Sequence, residues 1–202
     1  MMVTTLRPAD LEKRLERHAR DVRLETLRLA RIAGAGHYSG TFSAAELFAA
    51  LYYYQLRIDP ARPDWPDRDR FIMVGDGELA EGQIWEAAMA AGHFRVGRLV
   101  CLVDRNGLGI DGPTELLMAQ EPIEDRFASF GWSCQRISGH DLAQILDAFD
   151  ALGDEDDARP QLIVADTVKG HGVARMENDV NWHVGNLGPD DYEAVRQEIV
   201  GE

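Results

Sequence analysis

The chain has 202 residues, 45% of them hydrophobic, and a formal net charge of −14. That length and apolar content suit one domain with a sizeable core and exclude disorder over most of it. The acidity argues against nucleic-acid binding, because the chain would repel a phosphate backbone, yet it permits one phosphorylated small molecule held by a local site.

The N-terminus, MMVTTLRPADLEKRLERHARDV, has no apolar h-region, and no run approaches membrane-spanning length. Cys101 and Cys134 lie in apolar runs that read as strands. They are expected to be buried free thiols of a reducing compartment rather than a disulfide or metal pair. These features predict a soluble, cytoplasmic protein without a membrane partner.

Residues 10–33 read as a helix, with Leu11, Leu15, Val22, Leu29 and Ile32 recurring near helical spacing among Arg and Glu. It ends at Gly34–Gly36. SAAE, Ser43 to Glu46, is a capping-box pattern, and LFAALYYYQL continues as a helix apolar nearly all round, hence well buried. DPARPDWPDRD is a Pro- and Asp-rich connection. FIMV is then a short strand, LAEGQIWEAAMAAGHF an Ala-rich helix and LVCLV a second strand. Residues 123–130 look helical, SCQRI is a strand, and 141–152 is a helix opening on Asp141 as its cap. GDEDDARP, 153–160, is an acidic loop before the strand QLIVAD. The Gly-, His- and Asn-rich stretch 167–188 reads as a functional loop, and 189–200 as a last helix. Uniformly apolar strands alternating with helices predict an α/β fold, a mostly parallel open sheet with helices on both faces. The organisation is read as a single domain over 1–202: a helical segment over 1–66, an α/β core over 67–188 and a C-terminal helix over 189–202.

In an open parallel sheet, ligands bind beyond the carboxyl ends of the strands. Asp76 follows FIMV, and Asn106 follows LVCLV, one strand–helix–strand unit later. A parallel crossover returns the chain to the same edge, so the two converge. Gly75 and Gly77 permit a tight turn and close approach of a ligand, and a helix start beyond them favours an anion. A carboxylate and an amide oxygen beside a diphosphate make a hard-oxygen magnesium site, with the Leu108 carbonyl as a third protein ligand. Gly-Asp-Gly taken alone is equally the pattern of a plain turn; the second motif, DRNGLGIDG, is what weighs against that reading. A nucleotide-binding fold is disfavoured, since no Gly-x-Gly-x-x-Gly follows the first strand and no P-loop lysine pattern occurs.

The stretch GDGELAEGQIWEAAMAAGHFRVGRLVCLVDRNGLGIDG resembles the thiamine-diphosphate-binding motif of transketolases, most closely the N-terminal half of the split, two-subunit type. AGAGHYSGTFSAAELFAALYY is similar to the family's opening Gly-His-x-x-Gly segment, and KGHGVARMENDVNWH to its closing Lys-Gly-x-Gly-Val segment and terminal His. The resemblance implies thiamine diphosphate bound through Mg2+, or another divalent cation such as Ca2+ or Mn2+. It implies Asp76, Asn106 and the Leu108 carbonyl as metal ligands, and Gly75 and Gly77 beside the diphosphate. Glu81 would link the cofactor site to a partner subunit, and Lys169 would approach the same region from its loop. His37 and His183 would line the cofactor and substrate channel. The glutamate that the aminopyrimidine ring needs would come from a partner chain carrying a pyrimidine-binding module, in a hetero-oligomer. The reaction implied is transfer of a two-carbon ketol unit between sugar phosphates.

Two departures from the family pattern stand out. RDRF normally enters its own strand and a Gly-His turn, and several dozen residues with a Gly-rich helix start precede the strand ending in GDG. Here RDRF runs directly into IMVGDG. At least one strand, its helices and two ligand-contacting turns are thus expected to be missing, leaving a new sheet edge or uncovered apolar helix faces and weaker cofactor retention. WHVGN also departs from a commoner His-Gly pairing. These departures support a second reading, a degenerate non-catalytic subunit that keeps the fold and the partner interface.

Overall fold

The computed structural model describes residues 7–153 and 158–201; the extreme N-terminus, much of the expected acidic loop and Glu202 lie outside the described residues. Helix α1, Leu11–Ala33, buries Leu11, Leu15, Ala19, Arg23, Leu27 and Ala30, a ridge of i+4 and i+3 steps down one face. Arg23 sits in the apolar stripe, so the expected face is rotated. Leu29 and Ile32 point outward, 51% and 70% exposed. Gly34 ends the helix in the left-handed conformation, with φ 80°.

Two short helices follow, α2 (Tyr38–Ser43) and α3 (Ala45–Ala50). The expected capping box does not form. Ala44 holds the N-cap position of α3, while the Ser43 hydroxyl donates to Asp104 Oδ2 at 2.7 Å and Glu46 turns toward Arg23. Beyond α3 the helix widens into a π-helical turn, Leu51–Gln55, which rotates Tyr52 and Tyr53 to the surface. LFAALYYYQL is therefore buried only in its first half.

Strand β1 (Met73–Gly75) passes into a 3-10 turn, Asp76–Ala80, and helix α4 (Gly82–His93). The α-helix thus opens several residues later than expected. There follow β2 (Val100–Arg105), α5 (Thr114–Leu117), α6 (Ile123–Ser129), β3 (Ser133–Ser138), α7 (Leu142–Asp150), β4 (Gln161–Asp166) and α8 (Pro189–Gly201). Asp141 caps α7, its carboxylate accepting from Gln144 N.

The sheet has order β1-β2-β4-β3, and every pairing is parallel. Successive strand residues face opposite layers. Leu102, Ile163, Ala165 and Ile137 pack with α1, α3 and α7, whereas Val103, Leu162 and Val164 pack with α4 and α6. A satellite core joins the end of α1 and α2 to Val173, Met176 and α8. Cys101 and Cys134 are free and half-buried rather than fully buried. Each is in register with Leu162, on either side of β4. Two strand spacings, roughly 9–10 Å, separate them, too far for a disulfide. Burial pushes both thiols up to about 11. Among the described residues, β1 pairs only with β2 and so stands at a sheet edge, and Ile72 before it is 82% exposed. No described helix is long and apolar enough to cross a membrane.

The strand order places β4 beside β2 although β3 precedes it in the chain. The carboxyl ends of β1, β2 and β4 are consequently adjacent, and the turn after β1, the loop after β2 and the segment after β4 meet there.

Candidate active site

Asp76 opens the turn after β1 and is 2% exposed. Its Oδ2 accepts from Gly107 N and from Thr114 Oγ1, each at 2.9 Å. Its Oδ1 is buried and has no hydrogen-bond partner among the described residues. Gly107 adopts φ +76°, which lets its N–H turn back to Asp76. The loop then closes on itself through a Leu108–Pro113 bridge.

Asn106 lies beside this turn. Its Oδ1 accepts from Leu108 N at 3.2 Å, and its Nδ2 donates to Asp104 Oδ2 at 3.1 Å. The Leu108 carbonyl accepts from Lys169 Nζ at 3.1 Å and keeps a second lone pair free. Lys169 is 2% exposed; burial pulls its pKa down, opposed by the nearby Asp104 and Asp76 carboxylates. Burial raises the Asp104 carboxyl, opposed by hydrogen bonds from Thr167, Ser43 and Asn106.

The histidines come from opposite ends of the chain. An antiparallel bridge between Gly36 and Gly185, with bonds of 2.9 and 3.1 Å, joins their segments. A Cβ on Gly36 would lie 2.2 Å from Ala30 Cβ, so only glycine lets this strand-like segment close on α1. His37 and His183 then meet edge to face, ring centroids 4.3 Å apart. Burial and the charge of Lys169 lower the pKa of both, His183 to about 4. At neutral pH both rings are uncharged, each with one nitrogen that accepts hydrogen bonds. His183 Nδ1 is buried without a partner among the described residues.

An open cavity of about 620 Å³ joins these groups. Every candidate site residue read from the sequence lines it: Asp76, Asn106 and Leu108, Lys169 with His37 and His183, and Gly75, Gly77 and Glu81. Gly75 N donates to Glu78 Oε2 at 2.7 Å, and Glu81 is exposed before α4. Sequence reasoning missed Asp104, Thr114 and Glu78. For Asp104 a signal existed, a carboxylate inside the apolar run of β2; Thr114 and Glu78 had none.

A second cluster lies behind the cavity. Glu46 accepts from Arg23 Nη2 at 2.7 and 3.0 Å, and His140 Nδ1 is 3.1 Å from Glu46 Oε2. Val168 N donates to His140 Nε2 at 2.8 Å, which leaves the ring proton on Nδ1. His171 stacks on His140 at 3.7 Å. Glu46, His140 and His171 are close enough to share a metal ion. However, the Arg23 guanidinium already engages both Glu46 oxygens, and both His140 nitrogens are used. The cluster is a buried ion-pair network that anchors the backbone leading to Lys169.

The residues of the cavity fit a divalent cation with a phosphate group. A buried, unpartnered carboxylate oxygen, an amide oxygen and a carbonyl with a free lone pair are hard-oxygen donors, the set magnesium and calcium prefer. A parallel α/β sheet whose ligand-facing loops gather at adjacent strand ends is the architecture of a cofactor-binding domain.

The chain belongs to the transketolase, thiamine diphosphate binding domain family, matched over residues 15–74 and 71–201. The two matches overlap at 71–74, in the stretch where RDRF runs into the GDG strand. The chain is 37% identical over 139 residues to one subunit of the apulose-4-phosphate transketolase of Phocaeicola vulgatus, covering 69% of this chain and 49% of that protein. It therefore spans about half the length of that relative. It is 27% identical to 6-deoxy-6-sulfo-D-fructose transketolase subunit SqwG of a Clostridium species, covering 93% of this chain and 97% of that protein. That alignment runs over 267 positions, more than this chain contains, so the relative carries residues without counterpart here. The fold matches transketolase from Leishmania mexicana with a TM-score of 0.82 at 18% identity, over 92% of this chain and 41% of that one. Transketolase from Campylobacter jejuni gives 0.80 at 18% identity, over 96% and 43%.

Proposed function

We propose that this chain is the diphosphate-binding subunit of a two-chain transketolase-like enzyme, transferring a two-carbon ketol unit between sugar phosphates. The observation that carries the reading is the unpartnered Asp76 Oδ1, buried beside Asn106 and the Leu108 carbonyl at the strand ends. Asp76, Asn106 and the Leu108 carbonyl would hold Mg2+, Ca2+ or Mn2+. Gly75 and Gly77 leave room for a diphosphate, and Lys169 supplies a positive charge to it. Thiamine diphosphate, when bound, supplies the carbanion chemistry.

The protein's own contribution is placement and proton handling. His37 and His183 are neutral and adjacent, so each can accept a hydrogen bond from a substrate hydroxyl; His183, with a pKa near 4, is a weak base and suits donor binding, which leaves proton movement to His37. The buried Asp76 and Asp104 carboxylates favour a cation, and Lys169 beside them favours an anion. Glu81, exposed at the rim, is suited to meeting a partner subunit. That partner would carry the pyrimidine-binding module and its glutamate. The substrates for which the two relatives are named, a phosphorylated and a sulfo-sugar, support an anionic ketose. Two free thiols support a cytoplasmic protein.

One observation favours a second reading, a non-catalytic subunit that keeps the fold and partner surface. That observation is the break between the two family matches at 71–74, next to the short edge strand β1, in a chain whose Clostridium relative carries residues without counterpart here. Calorimetry with thiamine diphosphate and Mg2+, with and without a pyrimidine-module chain, separates the two. Binding, with turnover above the partner-alone control, is expected. Neither binding nor turnover in the mixture would leave only the non-catalytic reading.

A further inference from the structure

We infer that Asp104 is a positioning residue that fixes the amide of Asn106 so that its oxygen, not its nitrogen, is offered as a ligand. The inference rests on the metal-binding reading of Asp76 and Asn106. Asp104 ends the apolar run of β2 and is 2% exposed. It accepts from Ser43 Oγ at 2.7 Å, from Asn106 Nδ2 at 3.1 Å and from Thr167 Oγ1. All three donors are uncharged.

The nearby Lys169 ammonium donates to the Leu108 carbonyl instead, and a buried carboxylate whose own hydrogen-bond donors are all neutral is a costly choice if its task is only to tie three segments together. A hydroxyl can donate or accept, so Ser43 and Thr167 would be satisfied equally by an amide at 104. Asn106 is different. Its two ends are nearly identical in shape but opposite in polarity, and the neighbours decide which way the amide lies. An ionised carboxylate accepts only, so Nδ2 must face Asp104. On the other side the Leu108 N–H donates only, so Oδ1 must face it. An amide at 104 offers a donor as well as an acceptor and removes the first constraint. The Leu108 N–H then holds the orientation alone, through a single 3.2 Å bond, and the share of Asn106 that inverts presents its NH2 group to a cation, which repels it.

The test is the affinity of the chain for Mn2+ in the presence of thiamine diphosphate, read from the free-ion EPR signal against a blank without protein. Outer partners of metal ligands are worth about 10–100-fold in affinity. Asp104→Asn is expected to weaken Mn2+ binding by about that factor. The exchanged pair Asp104→Asn with Asn106→Asp is expected to restore it. There the carboxylate stands at the ligand position, where either oxygen serves, and the net charge is unchanged. Asp104→Asn binding Mn2+ as tightly as the wild type would overturn the inference. So would failure of the exchanged pair, because Asp104 would then act through its own charge or through packing alone.

A second measurement needs no change at 104. In the metal-free wild type, the Asn106 side-chain NH2, identified by its loss in Asn106→Asp, should exchange slowly with solvent because Asp104 holds it. Rapid exchange would overturn the orientation. If the wild type fails to bind Mn2+, the metal reading fails, and this exchange measurement still decides the orientation.

Discussion

Asp76→Asn separates the fold from the ligand site. The oxygen of the introduced amide can take the place of Oδ2 and accept from Gly107 N and Thr114 Oγ1, so both hydrogen bonds survive. The amide NH2 then stands where the unpartnered Oδ1 was. Without ligand, the variant should be as stable as the wild type or more so, because a buried charged oxygen without a partner has been removed. Asp76→Ala instead strands two buried donors and should cost about 2–4 kcal/mol. With ligand the order reverses. A site at 100 times its Kd adds about 2.7 kcal/mol. For a chain of this size that raises Tm by about 5–11 °C. Thermal unfolding with and without Mg2+ and thiamine diphosphate should show that gain in the wild type and none in Asp76→Asn. An equal gain in Asp76→Asn would refute the assignment of Asp76 as a ligand.

Three further outcomes follow from the geometry. In an NMR titration His183 should protonate with a midpoint near 4, so at pH 7 on the order of one molecule in a thousand carries the charge. Its folded pKa lies below the unfolded value, so its contribution to stability is present above about pH 6.5 and is lost as pH falls toward 4; a midpoint near 6.5 would contradict the burial beside Lys169. Gly36→Ala should lower stability by about 1–3 kcal/mol through the clash with Ala30 Cβ, with recovery when Ala30→Gly is added, measured by urea unfolding. Arg23→Met leaves Glu46 as a buried, partly unpaired carboxylate and should cost about 3–5 kcal/mol, whereas adding Glu46→Leu should return much of that loss, both read from the same urea curves.

The site was legible to the extent that its chemistry is local. GDG and DRNGLG are short motifs at strand ends, and a parallel crossover obliges their strands to return to one edge. The sheet, its parallel sense and the Asp141 cap were readable for the same reason, since apolar runs and helix starts act within a few residues. Misreadings came where a side chain answers to distant partners. SAAE has the pattern of a capping box, but Ser43 is drawn to Asp104 and Glu46 to Arg23 and His140. Leu29 and Ile32 fit a helical stripe, but the core wraps the Arg23 side of α1. The aromatic run after Ala50 reads as buried, but a π-helical turn rotates it outward.

By itself, therefore, the sequence determined the class of fold, the two loop motifs that meet at the strand ends and the family, because periodicity and motif patterns need only near neighbours. The tertiary structure alone decided that β4 lies beside β2, that Gly36 bridges Gly185 to bring His37 against His183, and that Asp104 braces Asn106. Those choices depend on how layers pack and on which buried polar groups find one another. No local pattern in the chain encodes either.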